Sequence, residues 1–288
     1  MKKIICYYLF FALISYEVSA QSNILNASTP DQVGIQNIDQ VQSDLDSFLD
    51  YKYIDDRDIL WSKIVYEKID LNERLNFPLL FPIDDNKYEN TRKSLWRVLR
   101  DNIKDGKITQ IYSSDNDNFL QKNLVHDSIY MKQVEIPEEM INGNLAPAEP
   151  LGSKDIKAYM IKGMWYFDKR RGEMDYRLLG IKPVGLDLGA KDRDSDDAKN
   201  TQLFWIWYPS IRKILHTEYV FNDTSNNNRI SFDQLLISRR FSSYIYKEDN
   251  LFGDRPISDY NRKGLESILE SQRIKMEILD FEQDLWNR

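Results

Sequence analysis

The apolar positions of this chain fall into patches whose spacing changes along its length. Leu60, Trp61, Ile64, Val65 and Ile69 recur at intervals of three and four, which predicts a helix over 58–69, ended by Asn76-Phe77-Pro78. Leu95, Val98, Leu99 and Ile103 share a helical face and predict a second helix over 91–104, stopped by Asp105-Gly106. Ile108 to Tyr112 reads as a short strand. The pattern then becomes extended. Residues 156–168 and 173–184 read as two strands joined by a turn at 169–172, a β-hairpin. Leu203 to Tyr208 is a continuous apolar run ended by Pro209, which predicts a third strand covered on both faces.

Helical spacing returns at the C-terminus. Ser231 and Gln234 have the spacing of a capping box, opening a helix over 232–240. A long helix follows from about 261 to 286 with two apolar stripes. One is Leu265, Ile268, Leu269, Met276, Leu279 and Trp286; the other is Ile274, Ile278, Phe281 and Leu285. Two stripes predict a wide buried face. The strands cluster together and do not alternate with helices. The fold class is therefore α+β: an antiparallel sheet with a central β-hairpin packed by helices, and a long C-terminal helix.

The ends and loops differ in character. Lys2 and Lys3 precede an apolar run over 4–14, and Val18-Ser19-Ala20 forms a small-residue cleavage site. This is the pattern of a secretory signal peptide over 1–20, too short for the roughly twenty residues of a spanning helix. Residues 21–56 are rich in Asn, Asp, Gln and Ser and read as a flexible N-terminal segment. The folded domain is expected over 57–288, with loops at 137–153 and 185–200.

Composition narrows the function. The lone cysteine, Cys6, lies in the segment expected to be removed, and position 21, where a lipoprotein needs cysteine, is Gln. The mature chain would have no disulfide, thiol nucleophile or lipid anchor. The net charge is −7, and no basic cluster is long enough to follow a phosphate backbone, which argues against nucleic acid.

Catalytic motifs are lacking. His126 and His216 are far apart, and neither has a second histidine at ligand spacing. The run Asp115-Asn116-Asp117-Asn118 hints at a calcium loop, but it lacks the glycine of the sixth position, and His126 occupies the twelfth. The acidic run 192–197 has no ligand spacing. No catalytic residue, metal or cofactor is assigned. Carboxylates alone keep a periplasmic glycan hydrolase open, and the aromatics keep a carbohydrate-binding module open, as alternatives.

Aromatic residues beside cations stand out instead. Trp165 and Phe167 precede Lys169, Arg170 and Arg171; Arg239 and Arg240 precede Tyr244 and Tyr246. Such neighbours are typical of protein interfaces, and these nine residues are the candidate contact positions.

Several of these stretches resemble the GldN/PorN family. They are Asp58-Ile59-Leu60-Trp61-Ser62-Lys63, then Ile69-Asp70-Leu71-Asn72-Glu73-Arg74 with Asn76-Phe77-Pro78. Next come Trp165 to Met174 (WYFDKRRGEM) and Leu179 to Pro183 (LGIKP). Last are Arg239 to Glu248 (RRFSSYIYKE), Leu269 to Lys275 (LESQRIK) and Phe281 to Trp286 (FEQDLW). The resemblance covers about 58 to 288. It implies a non-catalytic structural subunit of the periplasmic ring of the type IX protein secretion system of Bacteroidota, associated with gliding motility. It further implies a GldK/PorK-like outer-membrane lipoprotein and other copies of the chain as partners, and beyond them a GldM/PorM-like motor component. Membrane association would run only through those partners, at the inner face of the outer membrane.

Overall fold

Residues 156–186 form the centre of the molecule, because two long apolar stretches flank a turn that reverses the chain. In the computed structural model, strand β7 (Ile156–Asp168) and strand β8 (Glu173–Leu186) pair antiparallel along almost their whole length. The structure describes residues 48–84, 92–114, 117, 135–136, 139–141, 144–146, 149–186, 200–220, 230–251, 253–261 and 264–286. His126 and the acidic run 192–197 lie outside them. All described residues belong to one compact unit, which spans 48–88 and 92–288.

In chain order the elements begin with β1 (Ile59–Asp70), α1 (Phe77–Leu80) and α2 (Leu95–Lys104). Next come β2 (Tyr112–Ser113) and the short strands β3 (Glu135–Ile136), β4 (Glu139–Ile141), β5 (Asn144–Ala146) and β6 (Glu149–Pro150). After β7 and β8 follow β9 (Asn200–Gln202), β10 (Phe204–Trp207), α3 (Tyr208–Thr217), β11 (Tyr219–Val220) and β12 (Ile230–Ser231). The chain ends with α4 (Phe232–Ile237), β13 (Tyr244–Glu248), α5 (Ile257–Tyr260) and α6 (Gly264–Trp286). Seven strands make one sheet in the order β13-β1-β7-β8-β10-β2, with β9 on the far end of β8. The pairings are antiparallel, and the fold class is α+β as the patterning indicated.

The expected helix at 58–69 is a strand. β1 pairs with β7 from Ile59 to Asp70 and with β13 on its other edge. Its core-facing row is Trp61, Lys63, Val65, Glu67 and Ile69, so two charged residues stand where alternation calls for apolar ones. Both are neutralised internally: Lys63 by Glu248 at 2.8 Å and Glu67 by Arg239 at 2.8 Å. A β-bulge at Leu60 then shifts the phase. Together these mimic a helical period. Asn76-Phe77-Pro78 likewise opens α1, with Pro78 in its first turn, where a missing N–H is harmless. Buried Asn76 secures this corner through Nδ2 to the Asp70 carbonyl (2.6 Å) and Oδ1 from the Ser242 amide (2.8 Å).

Other expectations shift at their edges. The second helix is shorter, starting at Leu95 behind the Ser94 cap, whose Oγ accepts the Arg97 amide. Gly106, at φ 70°, reverses the chain after it. The 108–112 strand shrinks to β2. Pro209 ends β10 but also opens α3. The 232–240 helix stops at Ile237. Within the expected 137–153 loop β4 and β5 form a short antiparallel ladder, and β6 pairs with β3 just before the loop.

Helices α2, α3 and α4 pack on one sheet face in a core that includes Ile69, Tyr159, Ile161, Leu178, Ile181, Trp96, Leu99, Ile211 and Leu236. Helix α6 lies further along that side, with Ile274 and Ile278 against Val65 and Ile245. Only the second of its apolar stripes is packed this way. The first is exposed at Leu265, Ile268, Leu269, Met276 and Leu279, which corrects the expectation of one wide buried face. The opposite sheet face carries a separate aromatic cluster of Tyr66, Tyr112 and Trp205.

Candidate functional site

The nine candidate residues fall in three places. Lys169, Arg170 and Arg171 sit exposed at the tip of the β7–β8 hairpin. Gly172, at φ 68°, lets the chain turn there, and its amide donates to the Asp168 carbonyl at 2.8 Å. The tip is tied to the start of β1. The Lys169 amide donates to the Asp58 carbonyl (2.8 Å), and the Arg170 guanidinium meets the Asp58 carboxylate at 2.9 Å. Arg171 lies 3.6 Å from Asp168. Both arginines thus have internal carboxylate partners while remaining open to water.

Trp165, Phe167 and Arg239 occupy the helix-covered face. Arg239 follows α4 at φ 52°, the left-handed position normally given to glycine at a helix end. The reason for an arginine lies across the sheet. Its guanidinium donates to both oxygens of Glu67 (3.0 and 2.8 Å), a carboxylate 1% exposed, which also accepts from the Ser243 hydroxyl. The same guanidinium lies 4.3 Å from the Tyr176 ring centroid and 5.5 Å from that of Trp165. Trp165 in turn contacts Tyr176 with centroids 5.0 Å apart. Phe167 is mostly buried and Arg240 is exposed.

Tyr244 and Tyr246 belong to the opposite face, with a constellation that patterning had missed. Lys162, Lys182 and Lys247 project from β7, β8 and β13 towards Asp117. Lys247 Nζ lies 2.8 Å from one carboxylate oxygen of Asp117, and Lys182 lies 3.7 Å from the other. Lys162 donates to its backbone carbonyl at 2.6 Å, and the Trp205 indole N–H donates to its carboxylate at 3.0 Å. Aromatic rings carry the lysine stems and heads: Lys182 lies 4.5 Å from Trp205, and Lys162 and Lys247 lie 5.1 and 4.6 Å from Tyr66. Beside them a shallow cleft of about 490 Å³ is lined by Lys68, Asp117, Lys182, Tyr244, Tyr246 and Lys247.

Electrostatics follow from the crowding. Burial alone would raise the Asp117 pKa, but the Lys247 hydrogen bond, the Lys182 charge and the Trp205 N–H together hold it below the usual carboxylate range. Lys162 is pushed below its ordinary value, chiefly by desolvation, which the Asp117 charge only partly offsets. Burial raises the Tyr66 and Tyr246 phenols further above neutrality, so neither ionises near pH 7. The face is a cationic, aromatic surface suited to holding an anion or an acidic side chain. The Asp117 carboxylate accepts from Lys247 and Trp205 and faces the Lys182 charge. In sequence only a hint of it was present, since Met160, Lys162, Met164 and Tyr166 alternate onto one side of β7, and the partner of Lys162 lies 45 residues away.

Two further polar residues singled out by the sequence have ordinary contacts. His216 stands on α3 with its ring 6.1 Å from Phe48. Asp117 is the described member of the calcium-like run, and its carboxylate is taken by Lys247 and Trp205. Among the described residues no cluster of His, Cys, Asp or Glu could hold a metal ion, and no helix is long and apolar enough to cross a membrane.

Comparison with known proteins places this geometry. A family model described as gliding motility associated protein GldN matches residues 54–287, from just before β1 through the end of α6. No curated protein matches the chain.

Proposed function

The chain belongs to the GldN family of gliding motility associated proteins, and on that premise we propose that it is a non-catalytic structural subunit of the periplasmic ring of the type IX protein secretion system. The observation that carries the reading is the extent of the family match, which takes in the whole sheet and the helices packed on it. In this reading a signal peptide over 1–20 delivers the chain to the periplasm. A GldK/PorK-like outer-membrane lipoprotein holds it at the inner face of that membrane beside other copies of itself, with a GldM/PorM-like motor component further off.

The surface chemistry supports a binding role over catalysis. The hairpin tip offers Lys169, Arg170 and Arg171 on a rigid two-stranded platform, and the open sheet face offers lysines set among aromatics. Both suit acidic partner surfaces, where charge mainly fixes register and partner choice. The test is co-expression with the lipoprotein. The chain should move from a small freely fractionating species into membrane-bound assemblies of high mass. Identical fractionation with and without the lipoprotein would remove the assembly reading.

A further inference from the structure

Helix α6 is fully engaged on one side and open on the other. Inward, Ile274 and Ile278 are buried against Val65, Ile245 and Ile257, Phe281 stacks on Trp61 at 4.6 Å, and Ser271 accepts the Ile245 amide at 2.8 Å. Outward, Leu265 is 70% exposed, Ile268 51%, Leu269 55%, Met276 54% and Leu279 47%. Isolated exposed aliphatics need no explanation; a row of them on one helix does.

The row has the spacing of a helix–helix seam. Positions 265, 269, 272, 276, 279, 283 and 286 advance in alternating steps of four and three, the repeat that keeps one edge of a helix facing a partner helix. They read Leu, Leu, Gln, Met, Leu, Gln and Trp. The seam is flanked on one side by Glu266, Arg273 and Asp280, and on the other by Ile268, Lys275 and Glu282.

We propose that two copies of this chain pair through this seam, their α6 helices antiparallel about a two-fold axis beside residues 277 and 278. The argument is self-complementarity. In this register Met276 meets Leu279 of the partner subunit, and Gln272 meets Gln283 of the partner subunit. At the centre apolar positions face apolar ones, the polar pair faces itself, the arrangement by which a buried amide fixes register, and Leu265 lies beyond the overlap. Along the flanks, Arg273 meets Asp280 of the partner subunit and Lys275 meets Glu282 of the partner subunit, and the two-fold axis repeats each pair.

Neighbouring registers fail on charge. Sliding by one heptad in one direction sets Arg273 against Arg273 of the partner subunit and Lys275 against Lys275 of the partner subunit. Sliding in the other direction opposes Asp280 with Asp280 of the partner subunit and Glu282 with Glu282 of the partner subunit. A parallel pairing keeps only the contact of Lys275 with Asp280 of the partner subunit. In the single chain Arg273 is held by Glu270 and Glu277 on its own helix, and Lys275 donates to the Ser243 carbonyl. The flanking charges therefore select the register, while the aliphatic seam supplies the driving force.

An isologous pair closes on itself. The inference thus goes beyond the ring reading: the pair would be the unit added to any larger assembly, and it stands or falls without the lipoprotein.

Cys6 is the only cysteine, so thiols introduced into a Cys6→Ser chain report alone. Met276→Cys and Leu279→Cys, made separately, are oxidised alone and as a mixture. Antiparallel pairing predicts a disulfide-linked dimer in the mixture about tenfold faster than in either variant by itself, because only there are the two Cβ atoms within bridging reach. The unaltered chain should sediment as a dimer, and Leu279→Glu as a monomer that keeps the thermal transition of a folded domain. Four results overturn the proposal: monomeric mass of the unaltered chain up to roughly 0.1 mM; equal cross-linking of each variant alone; a dimer that survives Leu279→Glu; or loss of the thermal transition in that variant. Capture by the lipoprotein is scored on the same samples. Capture without pairing overturns this inference alone, and pairing without capture overturns only the ring reading.

Discussion

Arg239 shows how one residue can combine a backbone penalty with a packing role. Its left-handed φ of 52° would suit glycine better, yet glycine there would leave the Glu67 carboxylate, 1% exposed, without its cation. Removing one partner of such a pair costs about 3–5 kcal/mol. Arg239→Ala should therefore lower stability by that order in chemical denaturation, whereas Arg240→Ala, at the exposed neighbour, should change it by less than about 0.5 kcal/mol. Equal effects would remove the Glu67 pairing as the reason for the arginine. Asp117 gives a second prediction, in pH. Its pKa is lowered in the folded chain, mainly by Lys247 and Lys182 acting against burial. The unfolded chain therefore binds the proton more readily, and stability rises with pH through that range. The contribution is present above the ordinary carboxylate pKa and is lost as pH falls through the depressed folded value. Asp117→Asn should flatten the acid limb of a plot of melting temperature against pH and leave its slope near neutrality unchanged.

At the scale of elements, the central hairpin depends on a glycine for space. A Cβ on Gly163 would run into the Tyr176 phenol, which reaches diagonally over it from β8, where Tyr176 is paired with Trp165, in the packed layer under Arg239. Gly163→Ala should destabilise by about 1–3 kcal/mol, as overpacking does. The double variant Gly163→Ala/Tyr176→Phe should recover part of that, since Phe lacks the oxygen that clashes first; no recovery would place the strain elsewhere. This hairpin was legible in sequence because its turn carries Gly172 and its strands are long and apolar. Helix α2 was legible because Ser94 caps one end and Gly106 stops the other. Strand β1 was not, because Lys63 and Glu67 occupy core-facing positions and find their counter-charges on β13 and after α4. Those partners are more than 170 residues away, and no local pattern can reveal them. The lysine cluster was hidden for the same reason. Lys162, Lys182 and Lys247 are ordinary residues one at a time, and only the strand order brings them to Asp117. The outward stripe of α6 was visible in sequence, but sequence could not say which of the two stripes the body would leave open.

For the whole molecule, the question is where the N-terminal segment stops and the domain begins. Composition put the boundary at residue 56. Phe48 and Tyr51, however, already pack on the body: their rings lie 4.8 and 4.3 Å from the Arg212 guanidinium, and the Tyr51 hydroxyl donates to the Leu178 carbonyl at 3.0 Å. Arg212 is itself buried against Asp233 at 3.1 Å, and Asp233 accepts from the Tyr208 hydroxyl at 2.8 Å. The two rings therefore roof an ion pair that water would otherwise reach. Upstream, residues 21–47 contain Asp31, Asp39, Asp44 and Asp46 and no Lys or Arg, a composition suited to meeting a cationic surface rather than to building a core. Two deletions separate these roles. Removing 21–47 should leave thermal unfolding of the isolated chain unchanged while weakening capture by the lipoprotein. Removing 21–56 takes away the aromatic roof as well, a loss of roughly 1–3 kcal/mol, which for a domain of this size lowers the melting temperature by several degrees. Arg170→Glu/Arg171→Glu tests the hairpin tip in the same assay. The arginine ends of its ion pairs with Asp58 and Asp168 are open to water although the carboxylates are mostly covered, and pairs screened on one side by solvent contribute about 1 kcal/mol each. The variant should melt close to the unaltered chain and bind the lipoprotein less well. A collapse of its melting temperature would make those arginines internal struts, and intact capture would move the contact surface away from the tip.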